Sequence, residues 1–236
     1  MQQSPPCALC RAAASSDFAG FRRLSPSQYC SRATRCYDVV VRTATNFAGL
    51  RTVFLDRDGV LNEKMPEGVY VTRWEDFHPI AGVAEALRRL NEAGLRVVVV
   101  TNQRGIAKGL YSLADVTAIH AQFCQQLERS GARIDGFFVC PHDKNECNCR
   151  KPLPGLFEQA AARFPEIEAA TSVMIGDAIG DIEFGRRLGM KTIFVTGDEE
   201  RQAPGVEEAA RLADSCCASL PEAVEMLLST EALRTC

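Results

Sequence analysis

From Arg51 onwards, short unbroken apolar runs alternate with longer stretches in which apolar residues return every three or four positions. The runs Thr52–Asp56, Arg96–Thr101, Ile134–Cys140, Ser172–Asp177 and Lys191–Val195 are rich in β-branched and aromatic residues and too short for helices, so they predict strands. Between them, Val83, Leu87 and Leu90 recur at helical spacing, and Gly94 is placed to stop that helix. Ser112-Leu-Ala-Asp115 has the spacing of a capping box and opens a helix running to about Gly131. Further helices are predicted over Gly155–Phe164, Ile179–Leu188 and Leu220–Leu228, and residues 59–80 read as a loop or small hairpin. Strands that alternate with helices, and that are apolar on both faces, imply an α/β fold: a doubly wound parallel sheet covered on both sides. No internal repeat and no second core of domain size is visible, so residues 50–236 are expected to form one domain.

Residues 1–49 break the pattern. They are Ser-, Arg- and Ala-rich and acid-poor, without periodicity, and are expected to be a disordered extension of transit-peptide-like composition. They hold six Arg and two Asp, so the remainder carries 21 basic and 28 acidic residues, a charge of -7. That acidic body argues against nucleic-acid binding, and it requires any phosphate to be held by a few placed cations. No apolar run approaches the 18 or so residues of a membrane span. Eleven cysteines without an apolar leader fit a reducing cytoplasm and a metal cluster better than a disulfide framework. Cys7-x-x-Cys10 alone is half a zinc site and is given no role.

The chemistry collects at strand ends. Asp56-Arg-Asp58-Gly59 follows the first strand, Thr101-Asn102 the second, Arg150-Lys151-Pro152 a cysteine cluster, and Gly176-Asp177 another strand, with Asp181 four residues on. An Asp-x-Asp pair also occurs in surface loops. Here it lies where open α/β sheets bind ligands, and burying two like charges this close requires a cation. The reading is metal-assisted phosphoryl transfer through an aspartyl intermediate. Cys140-x-His142-x4-Cys147-x-Cys149 offers three sulfurs and one imidazole within ten residues, a closed and therefore structural Zn2+ set.

In that order, the four motifs resemble the haloacid dehalogenase (HAD) phosphohydrolases over about residues 50–230. Thr101-Asn-Gln-Arg-Gly-Ile-Ala-Lys-Gly109 and the stretch from Cys140 to Pro152 look like the D-glycero-D-manno-heptose 1,7-bisphosphate phosphatases. The histidinol-phosphate phosphatases share the cysteine loop. The resemblance implies a Rossmann-like HAD fold, capless, with a zinc-binding loop, since neither the interval from Asp58 to Thr101 nor that from Asn102 to Arg150 has room for a cap domain.

It also implies roles. Asp56 is the nucleophile and Asp58 the general acid/base. Mg2+ is held by Asp56, Asp177 and the backbone carbonyl of Asp58. Thr101 and Asn102 bond the transferring phosphoryl oxygens, and Lys151 neutralises charge in the transition state. Gln103, Arg104 and Arg150, with Lys108, are expected to grip the substrate. Asp181 is either a supporting residue behind the metal or an ordinary helix-start acid. The expected partner is a small phosphorylated sugar, and the expected state is a monomer. The segment Glu63–Tyr70 is longer and more charged than the usual family loop, and the cysteine loop is short, which leaves histidinol phosphate as the alternative substrate. A silent phospho-accepting module on the same scaffold is the alternative to an enzyme.

Overall fold

A computed structural model of the chain describes residues 47–202 and 204–232. Six parallel strands form one sheet in the order β3-β2-β1-β4-β5-β6: β1 Thr52–Leu55, β2 Arg96–Asn102, β3 Gly136–Cys140, β4 Ser172–Gly176, β5 Lys191–Val195 and β6 Ser215–Cys217. Alternation along each strand sorts its side chains between two cores. Val53, Leu55, Val97, Val99, Val173 and Ile175 face one layer, packed by α1 (Val83–Glu92), α3 (Leu113–Arg129) and α7 (Leu220–Ala232). Phe54, Val98, Val100 and Met174 face the other, covered by α4 (Gly155–Arg163) and α5 (Ile179–Leu188). Each such side chain, fully buried, contributes roughly 1.5–3 kcal/mol. Both faces are covered, which is why the strands read as unbroken apolar runs.

The predicted helix signals operate as read. Ser112 caps α3 by accepting from the Asp115 amide while Asp115 bonds back to the Ser112 amide, and Gly94 follows α1 in the left-handed region at φ 76°. The Ile134–Cys140 run yields a strand only from Gly136, where it pairs with Val98 on β2. Residues 59–80 form no hairpin. They carry one 3-10 turn, Trp74–Asp76, and an isolated antiparallel bridge between Asn62 and Pro79.

Three elements had no sequence signal. The helices α2 (Arg104–Ala107) and α6 (Val206–Leu212) span two turns or fewer, too short to show a period, and β6 has three residues. No cap domain is inserted in either interval among the described residues. Phe47, placed by sequence in the unstructured extension, is buried in the first core, so the ordered part begins at least three residues earlier. The expectation for residues 1–46, including Cys7 and Cys10, lies outside the described residues. No described helix is long and apolar enough to cross a membrane.

Candidate active site

The sheet order places β1 between β2 and β4, so successive connections leave in opposite directions and open a crevice beyond the strand ends. Asp56 leaves β1 there, its amide donating to the Ile175 carbonyl at 3.0 Å, and Asp177 leaves the adjacent β4. Leu55 pairs with Ile175, so the two acids emerge side by side. Asp181, in the first turn of α5, folds back to accept from the Ala178 amide at 3.1 Å. One carboxylate oxygen each from Asp56, Asp177 and Asp181 lies within 4.8 Å of the others. Glycines make the room. A Cβ on Gly59 would stand 2.2 Å from Asp177 Oδ2, and one on Gly176 would stand 2.3 Å from the Asp181 Cβ.

Lys151 is buried beside these acids. Its Nζ donates to Asp56 Oδ1 at 2.9 Å and to the Val100 carbonyl at 2.7 Å, and lies 2.6 Å from Asp181 Oδ1. Those three partners use all three of its N–H groups. Burial would lower its pKa, but Asp181 and Asp56 outweigh burial and raise it. Burial pushes Asp56 up to about 6, against the pull of Lys151. It pushes Asp177 up to about 7, with Lys64 opposing and Asp56 and Asp181 adding to the rise. The main chain of Lys151 is fixed as well. Asn102 Nδ2 donates to the Lys151 carbonyl at 3.2 Å, and the Lys151 amide donates to Asn102 Oδ1 at 3.1 Å.

The side chain of Asn102 therefore holds the Lys151 backbone through both its ends, with one Nδ2 hydrogen left to donate elsewhere. Thr101 is buried, and its Oγ1 accepts from Gln103 Nε2 at 2.8 Å, which leaves the hydroxyl hydrogen to donate.

The Asp58 carboxylate is not part of the three-acid cluster. Arg57, itself 1% exposed, grips both its oxygens through Nη2 at 2.9 Å, and Asn62 Nδ2 and Gln103 Nε2 donate at 3.0 and 2.9 Å. Burial would raise its pKa, but Arg57 and these donors win and hold it below the usual carboxylate range. Tyr111 Oη donates to Gln103 Oε1 at 2.7 Å, fixing which end of the amide faces Asp58.

Of the expected grips, Gln103 therefore serves Asp58. Arg104 is paired with Asp143, Nη2 to Oδ2 at 3.0 Å, and Lys108 bonds the Tyr70 hydroxyl at 3.0 Å. Arg150 reaches the His142 carbonyl at 3.5 Å and points along the cysteine loop.

That loop brings its four candidate ligands, Cys140, His142, Cys147 and Cys149, together. Cys140 and Cys147 sulfurs are 3.6 Å apart, Cys147 and Cys149 3.4 Å, and His142 Nδ1 is 3.3 Å from Cys149 Sγ. A tetrahedral site with zinc–sulfur bonds of about 2.3 Å needs sulfurs about 3.8 Å apart, so the observed spacing suits a zinc ion after small adjustments. All three cysteines are free thiols, and the Arg150 amide donates to Cys147 Sγ at 3.4 Å. Helix α4 locks the loop from below. The Gly155 amide bonds the Asn148 carbonyl at 2.9 Å, and a Cβ on Gly155 would meet Asn148 and Cys149 backbone at 2.8 Å.

The three-acid cluster fits a hard divalent cation. Its donors are all oxygen, and Asp177 Oδ1 is buried with no hydrogen-bond partner, a cost that a cation would remove. Sequence reading placed Asp56, Asp177 and Lys151 here, and the structure adds Asp181 as the third carboxylate. Four contributors escaped it: Arg57, Asn62, Tyr111 and Lys64, whose Nζ lies 2.5 Å from Asp177 Oδ2. Arg57, a charged residue between two acids after a buried strand, was a readable signal. Lys64 and Tyr111 arrive through loop geometry and gave none.

A family model described as HAD-hydrolase-like matches residues 148–223. The chain is similar to the D-glycero-alpha-D-manno-heptose-1,7-bisphosphate 7-phosphatase of Mycobacterium tuberculosis, 43% identical over 137 residues, 58% of this chain and 72% of that one. It is 35% identical over 178 residues to the D-glycero-beta-D-manno-heptose-1,7-bisphosphate 7-phosphatase of Pseudomonas putida, 74% of this chain and all of that one. The crystal structure of D,D-heptose 1,7-bisphosphate phosphatase from B. bronchiseptica complexed with magnesium and phosphate superposes with a TM-score of 0.66 at 29% identity, covering 76% of this chain and 99% of that one.

Proposed function

This chain belongs to the HAD phosphatases, enzymes that hydrolyse phosphate monoesters, and on that premise we propose that it removes the 7-phosphate of D-glycero-D-manno-heptose 1,7-bisphosphate through an aspartyl-phosphate intermediate. The observation that carries the mechanism is Lys151 bonded to Asp56 beside the Asp177–Asp181 pair, at the crevice beyond the strand ends. Asp56 attacks phosphorus, the bond to the sugar oxygen breaks, and Asp58 delivers a proton to that oxygen. In the second half, Asp58 takes a proton from water, which attacks the acyl phosphate and frees phosphate and the Asp56 carboxylate.

The donors around Asp58 keep it ionised in the resting protein, which is the form the second half requires. A phosphate dianion drawn against it favours protonation, which is the form the first half requires. Lys151 stabilises the charge gathering on the phosphoryl oxygens, and the Thr101 hydroxyl has one hydrogen to donate to them. Mg2+, held by Asp56, Asp177 and the Asp58 carbonyl with Asp181 behind, would offset repulsion between nucleophile and phosphate. Zn2+ on Cys140, His142, Cys147 and Cys149 would fix the loop that delivers Arg150 and Lys151.

The relatives named above act on heptose 1,7-bisphosphates, and the greater identity to the alpha-anomer enzyme makes that anomer the expected substrate. One panel tests the substrate: both heptose bisphosphate anomers, histidinol phosphate and unrelated sugar phosphates, ranked by kcat/KM. A preference for histidinol phosphate would replace the substrate assignment while leaving the mechanism. Asp56→Asn should abolish phosphate release. Full activity in that variant would rule out the covalent step, and no release from any ester by the natural chain would leave only a binding module.

A further inference from the structure

We propose that Lys64 is a tethered cation paired with Asp177, so that a divalent ion on that carboxylate binds only by displacing its ammonium group. The inference rests on the Mg2+ reading above and deepens it. The cluster holds three carboxylates. Lys151 is committed to Asp56 and Asp181, and Asp58 is answered by Arg57. For Asp177, the ion pair among the described residues is Lys64, with Nζ 2.5 Å from Oδ2.

The contact is built rather than incidental. The backbone that presents Lys64 is pinned on both sides. The Glu63 amide donates to the His78 carbonyl at 2.8 Å and Asn62 Nδ2 donates to the Glu63 carbonyl at 2.9 Å. Arg201 Nη1 donates to the Lys64 carbonyl at 2.9 Å and lies 3.3 Å from Glu63. The side chain is three-quarters buried.

An ammonium on Oδ2 and a divalent ion on the same carboxylate repel strongly, whichever oxygen the ion takes. Lys151 is anchored by three contacts and stays. Lys64 is held at its tip by one carboxylate, and its four-carbon stem lets it swing away. The ion must therefore overcome the Lys64–Asp177 pair, which weakens its apparent affinity.

The test is calorimetric titration of MgCl2 into full-length, zinc-retaining protein dialysed free of magnesium. Lys64→Met should lower the Mg2+ Kd about tenfold, while Asp177→Asn should abolish binding and so identify the site. A proton taken up by Asp177 in the Met variant does not reverse this sign, because one removed charge acts twice as strongly on a divalent ion as on a proton. Melting supplies a second readout. Lys64→Met, or Lys64→Gln if the Met variant folds poorly, should melt lower than the natural chain without magnesium, and the gap should close at saturating magnesium.

Equal or weaker Mg2+ binding by the variant overturns the proposal. So does a melting deficit that persists at saturating magnesium, which would make Lys64 an ordinary structural contact. No Mg2+ binding by either protein overturns the metal reading itself along with the proposal, and so is distinguishable from equal binding by both.

Discussion

Replacing Lys151 with Met keeps most of the side-chain volume and removes the charge that organises the cluster. At 2.9 and 2.6 Å, the two carboxylates each attract the ammonium by about 6 kcal/mol at an effective dielectric near 20. Desolvating the buried charges opposes this by several kcal/mol per ion, so the net cost of deleting the lysine is about 3–5 kcal/mol, the usual range for breaking a buried pair. In a domain of this size that is a fall of about 10 °C in melting temperature at pH 7.5. The loss should shrink at pH 5, because Asp56, pushed up to about 6 even beside Lys151, is then protonated in the natural chain too and the ion pair being deleted is weaker.

Activity should suffer more than stability. Removing one preorganised donor costs about 10²–10³ in kcat, and removing a full charge should cost at least the upper figure. Lys151→Arg should not rescue, because a planar fork cannot point three donors at Asp56, Asp181 and the Val100 carbonyl. The assay is phosphate release at saturating magnesium alongside thermal melts. A folded Lys151→Met protein within tenfold of the natural kcat would refute the electrostatic account of catalysis.

The remaining expectations concern the two candidate metal sites and the room made for them. The raised pKa values of Asp56 and Asp177, about 6 and about 7, mean the folded state holds their protons more tightly than the unfolded chain does. That stabilisation is complete below about pH 4 and is lost as pH rises through 6 to 7. Magnesium-free protein should therefore melt lower at pH 8 than at pH 5, added magnesium should remove most of that slope, and a melting temperature rising across the window would contradict the assignment. Elemental analysis should find about one zinc per chain, and Cys149→Ser should lose it together with thermal stability and kcat. Full activity without zinc would detach the loop from the site. Gly59→Ala would put a methyl 2.2 Å from Asp177 Oδ2 at φ 90°, so Mg2+ binding should weaken at least tenfold by calorimetry at a stability cost of about 1–3 kcal/mol, and unchanged binding would mean the Asp177 pose is not needed.

Much of this protein was written in one dimension. Five strands and their covering helices were legible because burial on both faces forces apolar runs about five residues long and because caps such as Ser112 and Gly94 are local. Asp56 and Asp177 were legible because each follows a strand end, the Cys140–Cys149 set because it repeats a metal spacing, and Lys151 because it directly follows that set. The elements that escaped, α2, α6 and β6, are too short for any period to emerge.

Which partner each charge found was decided only in three dimensions. Asp58 lies two residues from Asp56, yet its carboxylate turns to Arg57, Asn62 and Gln103, while Asp181, 125 positions away in the numbering of the chain, joins the cluster. Asn102 reads as a phosphate donor and is seen to lock the Lys151 backbone as well, and Lys64 reads as a loop charge but closes on Asp177. The sequence sets which side chains stand at the crevice, because hydrophobic periodicity is local. Their pairing depends on distances of a few ångströms between segments far apart in the chain, where burial strips away water and makes each charge answer to its nearest neighbour.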